Sequence, residues 1–283
     1  MPERPELDYQ RDLLTHTLTG ATITGVRVLD PVLLRMMVLG DVAEHVVGRT
    51  IGPIVRKAHF LLFQLEGPAP PMVLAVNPML AGRFYLVPAR KRTTKDTGFA
   101  LTFADGRELR YRDRKQMGKV YLAESANETT IPGLAKVGLD VLSPAFTFEA
   151  FAALAKKRRD QVKLFLMDKA ALDAFGNAYA DEALFAAGIH PKARVRELSP
   201  DQLKNLHAAA RDVLQHASDV VRERQPALED KVRDFLKVRN RKGEPCPTCG
   251  APIRVAGVRG HDAFFCATCQ PDAKGRGFVR WRR

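Results

Sequence analysis

Apolar residues in the first part of the chain follow two rhythms in turn. In PELDYQRDLLTHTLTG, Leu7, Leu14 and Leu18 fall on one face of a helix, Pro5 suits its first turn and Gly20 closes it. From Ala21 to about Ala123 the rhythm shortens to runs of β-branched and aromatic residues: ATITGVRVLD, HFLLFQL, MVLAVN, GRFYLV and FALTFADGRELRYRD. These predict strands, with Asp105-Gly106 as a hairpin turn, and together a β-sandwich or flattened barrel.

Pro132, Gly133, Gly138 and Pro144 punctuate a connector over about 124–144. Beyond it FTFEAFAALAKKRRDQVKLFLMD predicts two helical stretches, and NAYADEALFAAG a third that Gly188 closes. SPDQLKNLHAAARDVLQHA carries a capping box, Ser199 with Gln202, and a buried stripe of Leu203, Leu206, Ala210 and Val213. The expected architecture is multidomain α+β: a β-sandwich behind a leading helix (1–130), a helical domain with two helices joined by the GIHP turn (145–240), a cysteine ribbon (244–270) and a basic tail (271–283).

Composition narrows the partner. The 283 residues include 45 Lys and Arg against 32 Asp and Glu, a net charge of +13, which points to an anionic partner and, off a membrane, to nucleic acid. No apolar run approaches the roughly 20 residues that span a bilayer, and the start lacks the layout of a signal peptide. A cytoplasmic protein with no membrane partner is the expectation.

The densest chemistry is CPTCGAPIRVAGVRGHDAFFCATC. Cys246 and Cys249 are two residues apart, as are Cys266 and Cys269, with 16 residues between the pairs. Such knuckles present four thiolates to one tetrahedral zinc, a closed and therefore structural site. At the other end, MPERPE leaves Pro2 as a secondary amine once Met1 is removed. Attack by that amine on a sugar carbon gives an iminium that cannot deprotonate and so acts as an electron sink. The helix N-terminus beside it disfavours the protonated amine, and Glu3 is placed to donate and accept protons.

MPERPE, GNAYADEALFAAGIHP, GRELRYRDRKQMG, FLKVRNRKGEPC and the ribbon resemble the formamidopyrimidine-DNA glycosylase and endonuclease VIII superfamily over nearly the whole chain. The resemblance implies a helix-two-turns-helix domain, damaged DNA as partner, a monomer, base excision and cutting of the backbone at the abasic site. It puts the Schiff base on Pro2, acid/base work on Glu3, a second acid at Glu6, and phosphate contacts on Lys163 and Asn177. Extruding a base costs a few kcal/mol, and the family fills the vacated space with side chains.

Four places depart from the family's pattern. Its strand lysine aligns with His59 and its ribbon arginine with His261, while Leu80 replaces a methionine and KQMG, with Lys115 and Met117, replaces R-R-F-G. Lys57 and Arg259 each lie two residues before the histidine, on the same face if both arms are strands, yet about 7 Å displaced. Histidine also titrates near neutral pH, unlike the cations it replaces. Two functions therefore stand: a bifunctional glycosylase and lyase, or a weakly active or inactive protein that binds damaged, abasic or branched DNA. The tail, with Lys274, Arg276, Arg280, Arg282, Arg283 and Trp281, reads equally as a DNA contact or as a disordered basic end.

Overall fold

A computed structural model of the chain describes residues 2–173 and 175–272. The chain divides into two compact units, one of residues 1–136 and 220–232, the other of residues 137–219 and from 233 onward.

The first unit begins with helix α1 (Arg4–Leu18), whose Leu7, Leu14 and Leu18 are all buried. Its end is set as the sequence predicts: Gly20 takes a left-handed φ of 81°, and its N–H donates to Ile51 O at 2.7 Å. Strands β1 (Ile23–Val28) and β2 (Leu34–Met36) follow, then a short helix α2 (Val42–Val46). That helix lies within the stretch read as strand, and its sequence signal is the capping box of Asp41 and Glu44. Next come β3 (Thr50–Lys57), β4 (Phe60–Glu66), β5 (Met72–Asn77), β6 (Arg83–Pro88), β7 (Thr97–Phe103), β8 (Arg107–Arg112) and β9 (Lys119–Glu124).

Two sheets form the sandwich, of order β1-β7-β8-β6 and β2-β9-β5-β4-β3. Alternate residues of both sheets share one core, in which Phe63 of one sheet meets Phe84 of the other at 6.0 Å between ring centroids. The Asp105-Gly106 turn joins β7 to β8, with Gly106 at φ 82°. Residues 220–232 return to this unit: Tyr9 donates its hydroxyl to the Pro226 carbonyl and Gln10 its amide to that of Leu228, each at 2.9 Å.

In the second unit β10 (Leu139–Asp140) pairs in parallel with β11 (Leu172–Asp173), and helices α3 (Phe148–Lys156) and α4 (Val162–Met167) lie between them in sequence. Helix α5 (Asn177–Ala186) ends as the GIHP turn predicts: Ile189 N–H reaches Leu184 O, Gly188 N–H reaches Phe185 O, and Gly188 has φ 68°. Helix α6 (Pro200–Arg224) opens on the Ser199–Gln202 capping box, at 3.0 and 3.2 Å, and its predicted stripe lies in the unit's core. The ribbon is a hairpin of β12 (Ile253–Val258) and β13 (His261–Cys266). No helix among the described residues is long and apolar enough to cross a membrane.

Candidate active site and metal centre

Pro2 is buried and immediately precedes the cap of α1. Glu3 is that cap and Glu6 lies one turn on; both carboxylates are buried and close a capping box, Glu6 accepting the Glu3 N–H at 2.8 Å. Glu6 thus fixes the peptide joining Pro2 to Glu3. The helix's positive end faces this acidic pair. A step further along α1, Asp8 gathers Arg4 at 3.1 Å and Arg56 of β3 at 2.8 Å.

The departures at the two histidines sit at hairpin turns, and this corrects the alternation argument. Lys57 pairs with Phe60, so Ala58 and His59 form a two-residue turn, Ala58 having φ 51°. His59 is therefore not a strand residue sharing a face with Lys57. It is only 2% exposed, while the Lys57 ammonium meets Glu128 at 2.9 Å. In the ribbon Val258 pairs with His261, and Arg259 and Gly260 (φ 42° and 83°) make the turn, so Arg259 is on neither arm. Both Arg259 and His261 are exposed.

Lys163 is a second correction. Its side chain is fully buried and its ammonium meets the Asp181 carboxylate at 2.5 Å and donates to the Asp262 carbonyl. In this arrangement it holds α4, α5 and β13 together rather than facing a phosphate. Arg239 completes the cluster at 2.8 Å from Asp181. Burial raises the Asp181 carboxyl's pKa, and Lys163 and Arg239 oppose that rise. Asn177 opens α5, half-buried, its Oδ1 buried and without a hydrogen-bond partner among the described residues.

Leu80 (53% exposed) and Met117 (39% exposed) are apolar tips of the β5–β6 and β8–β9 loops. The second loop is built on Asp113, whose carboxylate accepts from the backbone N–H groups of Lys115, Met117 and Gly118 at 2.9, 3.0 and 2.7 Å. Sequence reasoning passed over Asp113, although an aspartate opening a turn is a known signal. It also passed over the ARKR run between β6 and β7. Arg110, buried beneath it, donates to the carbonyls of Lys91 and Arg92, which leaves the loop's own cations exposed. Adjoining concavities run from Leu80 to Arg92 and Lys95 and share Asp96, Arg112 and Arg114. Burial alone would raise the Asp96 carboxyl's pKa, but the hydrogen bond and charge of Arg112 hold it below the usual range.

The four cysteine Sγ atoms lie within 4.8 Å of one another, with Cys246–Cys269 at 3.8 Å and Cys249–Cys266 at 3.4 Å. A tetrahedral zinc with bonds of about 2.3 Å sets sulfurs about 3.8 Å apart, so the donors fit one zinc ion. With four thiolates bound, the metal's chemistry is to crosslink the ribbon. Gln270, buried, ties the second knuckle to the helix-two-turns-helix by accepting from Cys266 N–H at 3.0 Å and donating to Ile189 O at 2.9 Å.

A sandwich led by a helix with buried acids at its start, a helix-two-turns-helix unit and a four-cysteine ribbon together define a class of zinc-containing DNA glycosylase. Residues 1–120 match the formamidopyrimidine-DNA glycosylase N-terminal domain, 137–224 the H2TH domain of those enzymes, and 243–271 the zinc finger found in FPG and IleRS. The formamidopyrimidine-DNA glycosylases of Exiguobacterium sibiricum and Bacillus subtilis are each 32% identical to it, over 95% of this chain and 99% of theirs. The crystal structure of MutM (Fpg) from Thermus thermophilus superposes with a TM-score of 0.81 at 31% identity, covering 95% of this chain and 98% of that one. Lactococcus lactis Fpg, crystallised with DNA containing an oxidised pyrimidine, gives 0.87 at 25% identity over 96% of this chain and 100% of its own. The chain belongs to the formamidopyrimidine-DNA glycosylase family, enzymes that act as DNA glycosylases and abasic-site lyases.

Proposed function

We propose that this protein, as a monomer, excises oxidised bases from DNA and cuts the backbone at the resulting abasic site, with Pro2 as nucleophile. The observation that carries this reading is the start of α1, where Pro2 directly precedes buried Glu3, whose backbone N–H donates to the buried Glu6 carboxylate. The Pro2 nitrogen bonds to C1′ of the deoxyribose as the bond from C1′ to the base breaks, and Glu3 opens the sugar by protonating its ring oxygen. The proton that the Pro2 amine loses on forming the iminium leaves with the departing base. Glu3, now a carboxylate, takes the C2′ proton, the C2′–H electrons move toward the iminium, and the C3′–O bond breaks to release the 3′ phosphate. Glu6 acts as a positioning residue through the Glu3 amide. His59 and Lys57, at the turn where the family carries lysine, are proposed to support the site from behind, His59 from within the fold and Lys57 through Glu128. Asn177, Arg259, His261 and Lys115 are proposed to contact DNA phosphates, and Leu80 and Met117 to fill the gap left by the extruded base.

Single-turnover excision from duplexes carrying a formamidopyrimidine or an oxidised pyrimidine tests the reading. Glu3→Gln is expected to slow base loss by at least about 100-fold, the scale of general acid-base catalysis. Wild-type protein that binds both duplexes and releases neither base contradicts it. The second reading, a damage-binding protein with little turnover, is favoured by one observation, the tie between Lys57 and Glu128.

A further inference from the structure

The two loops with exposed apolar tips meet on one buried hydroxyl. The β5–β6 loop closes through Gly82 N–H donating to Pro78 O at 2.9 Å, and Asn77 Oδ1 accepts from Met79 N–H at 3.1 Å inside it. The β8–β9 loop closes on Asp113, and its Gln116 has φ 52°. Tyr111 of β8 stands between them, 1% exposed, its ring edge-to-face with Phe84 at 5.6 Å. A Cβ built on Gly82 would lie 2.0 Å from the Tyr111 hydroxyl oxygen, and one built on Gly118 would lie 1.9 Å from it. Both loops therefore end in glycine against the same atom.

Core packing does not explain that oxygen. A phenylalanine would fill the ring's place against Phe84, and a buried hydroxyl costs desolvation. The hydroxyl lies beside the Asp113 carboxylate, which already accepts from three backbone N–H groups, and among the described residues it has no hydrogen bond of good geometry. Burial first, and the Asp113 charge second, raise the phenol's pKa far above its ordinary value, so the hydroxyl keeps its proton. What it does is set the spacing of two backbones that are distant in sequence.

We propose that Tyr111 is a positioning residue that couples Leu80 and Met117, so that the two tips enter the duplex as one wedge. This rests on the reading of those tips as gap fillers. Neither tip contacts the other through the hydroxyl; each loop is seated on it separately, and the shared seat fixes their separation. Removing the hydroxyl frees that separation while leaving both tips in place.

The test uses a duplex with one tetrahydrofuran abasic analogue opposite 2-aminopurine, which depends on neither catalysis nor lesion identity. Leu80→Ala, Met117→Ala and the double variant are compared for affinity and for the fluorescence rise of the unstacked 2-aminopurine, with Tyr111 present and again with Tyr111→Phe. With Tyr111 present, each single truncation is expected to cost about tenfold and the double little more, because one wedge is already broken. With Tyr111→Phe the two losses are expected to multiply. Gly118→Ala, which drives a methyl group into the hydroxyl, is expected to lower the fluorescence rise, and Tyr111→Phe added to it to restore part of it. Single truncations without any effect would sink the gap-filling reading itself. Single losses that multiply equally with and without the hydroxyl would overturn the coupling, as would a Gly118→Ala defect that Tyr111→Phe leaves untouched.

Discussion

The turn at Ala58-His59 and the turn at Arg259-Gly260 pose the same problem and solve it oppositely. Both are two-residue hairpin turns at which a histidine stands near the place of a family cation. In the sandwich turn the histidine is buried and the neighbouring lysine is drawn to Glu128; in the ribbon turn both His261 and Arg259 face solvent. A buried position answers to packing and desolvation, whereas an exposed one is free to answer to a ligand. The loss of a cation is thus a change inside the fold at one turn and a change of surface at the other.

The comparison breaks most forcibly if zinc is removed. Chelation, or Cys266→Ser, is expected to unfold the ribbon turn, because structural zinc supplies on the order of 10 kcal/mol. The sandwich turn should persist, since its sheets share a core of their own. Hydrogen exchange will show it: β12–β13 amides exchange freely while β3–β4 amides stay protected. Lys163→Met comes next, with a loss below the roughly 3–5 kcal/mol of a buried charge left alone, because Arg239 still faces Asp181. Here thermal unfolding should shift, and the amides of β13 should lose protection first.

The two histidines themselves sharpen the contrast. His59→Lys places an ammonium in a site 2% exposed and is expected to destabilise by about 3 kcal/mol in denaturant titrations. His261→Arg should change stability by less than about 0.5 kcal/mol and tighten DNA binding. Equal stability effects at the two turns would remove the distinction. Arg259→Ala is the smallest change: stability unaltered, and the slope of log K against log salt reduced by about one.

The long helices were legible because each carries its own punctuation. Ser199 with Gln202 and the Gly188 turn are local signals, and each appears where expected. The four cysteines were legible for the same reason. Helix α2 was not, since five residues inside a strand-rich stretch give no period to read. Lys163 was misplaced because its partners are Asp181 and Asp262, distant in sequence, and no local pattern shows that a ribbon strand covers it. The alternation assigned to Lys57 with His59 and to Arg259 with His261 failed on turn position: a strand rule does not carry across a two-residue turn. Tyr111 was invisible as a spacer because its role lies in Gly82 and Gly118, which flank it at unequal distances in the chain.

The most direct test of the account is borohydride trapping on an oligonucleotide with one abasic site, using untagged protein whose Met1 has been removed. The account predicts a covalent adduct with wild type that disappears with Pro2→Gly and survives Lys57→Ala. Tight binding without an adduct, or an adduct that persists in Pro2→Gly, would contradict the assignment of Pro2 as nucleophile.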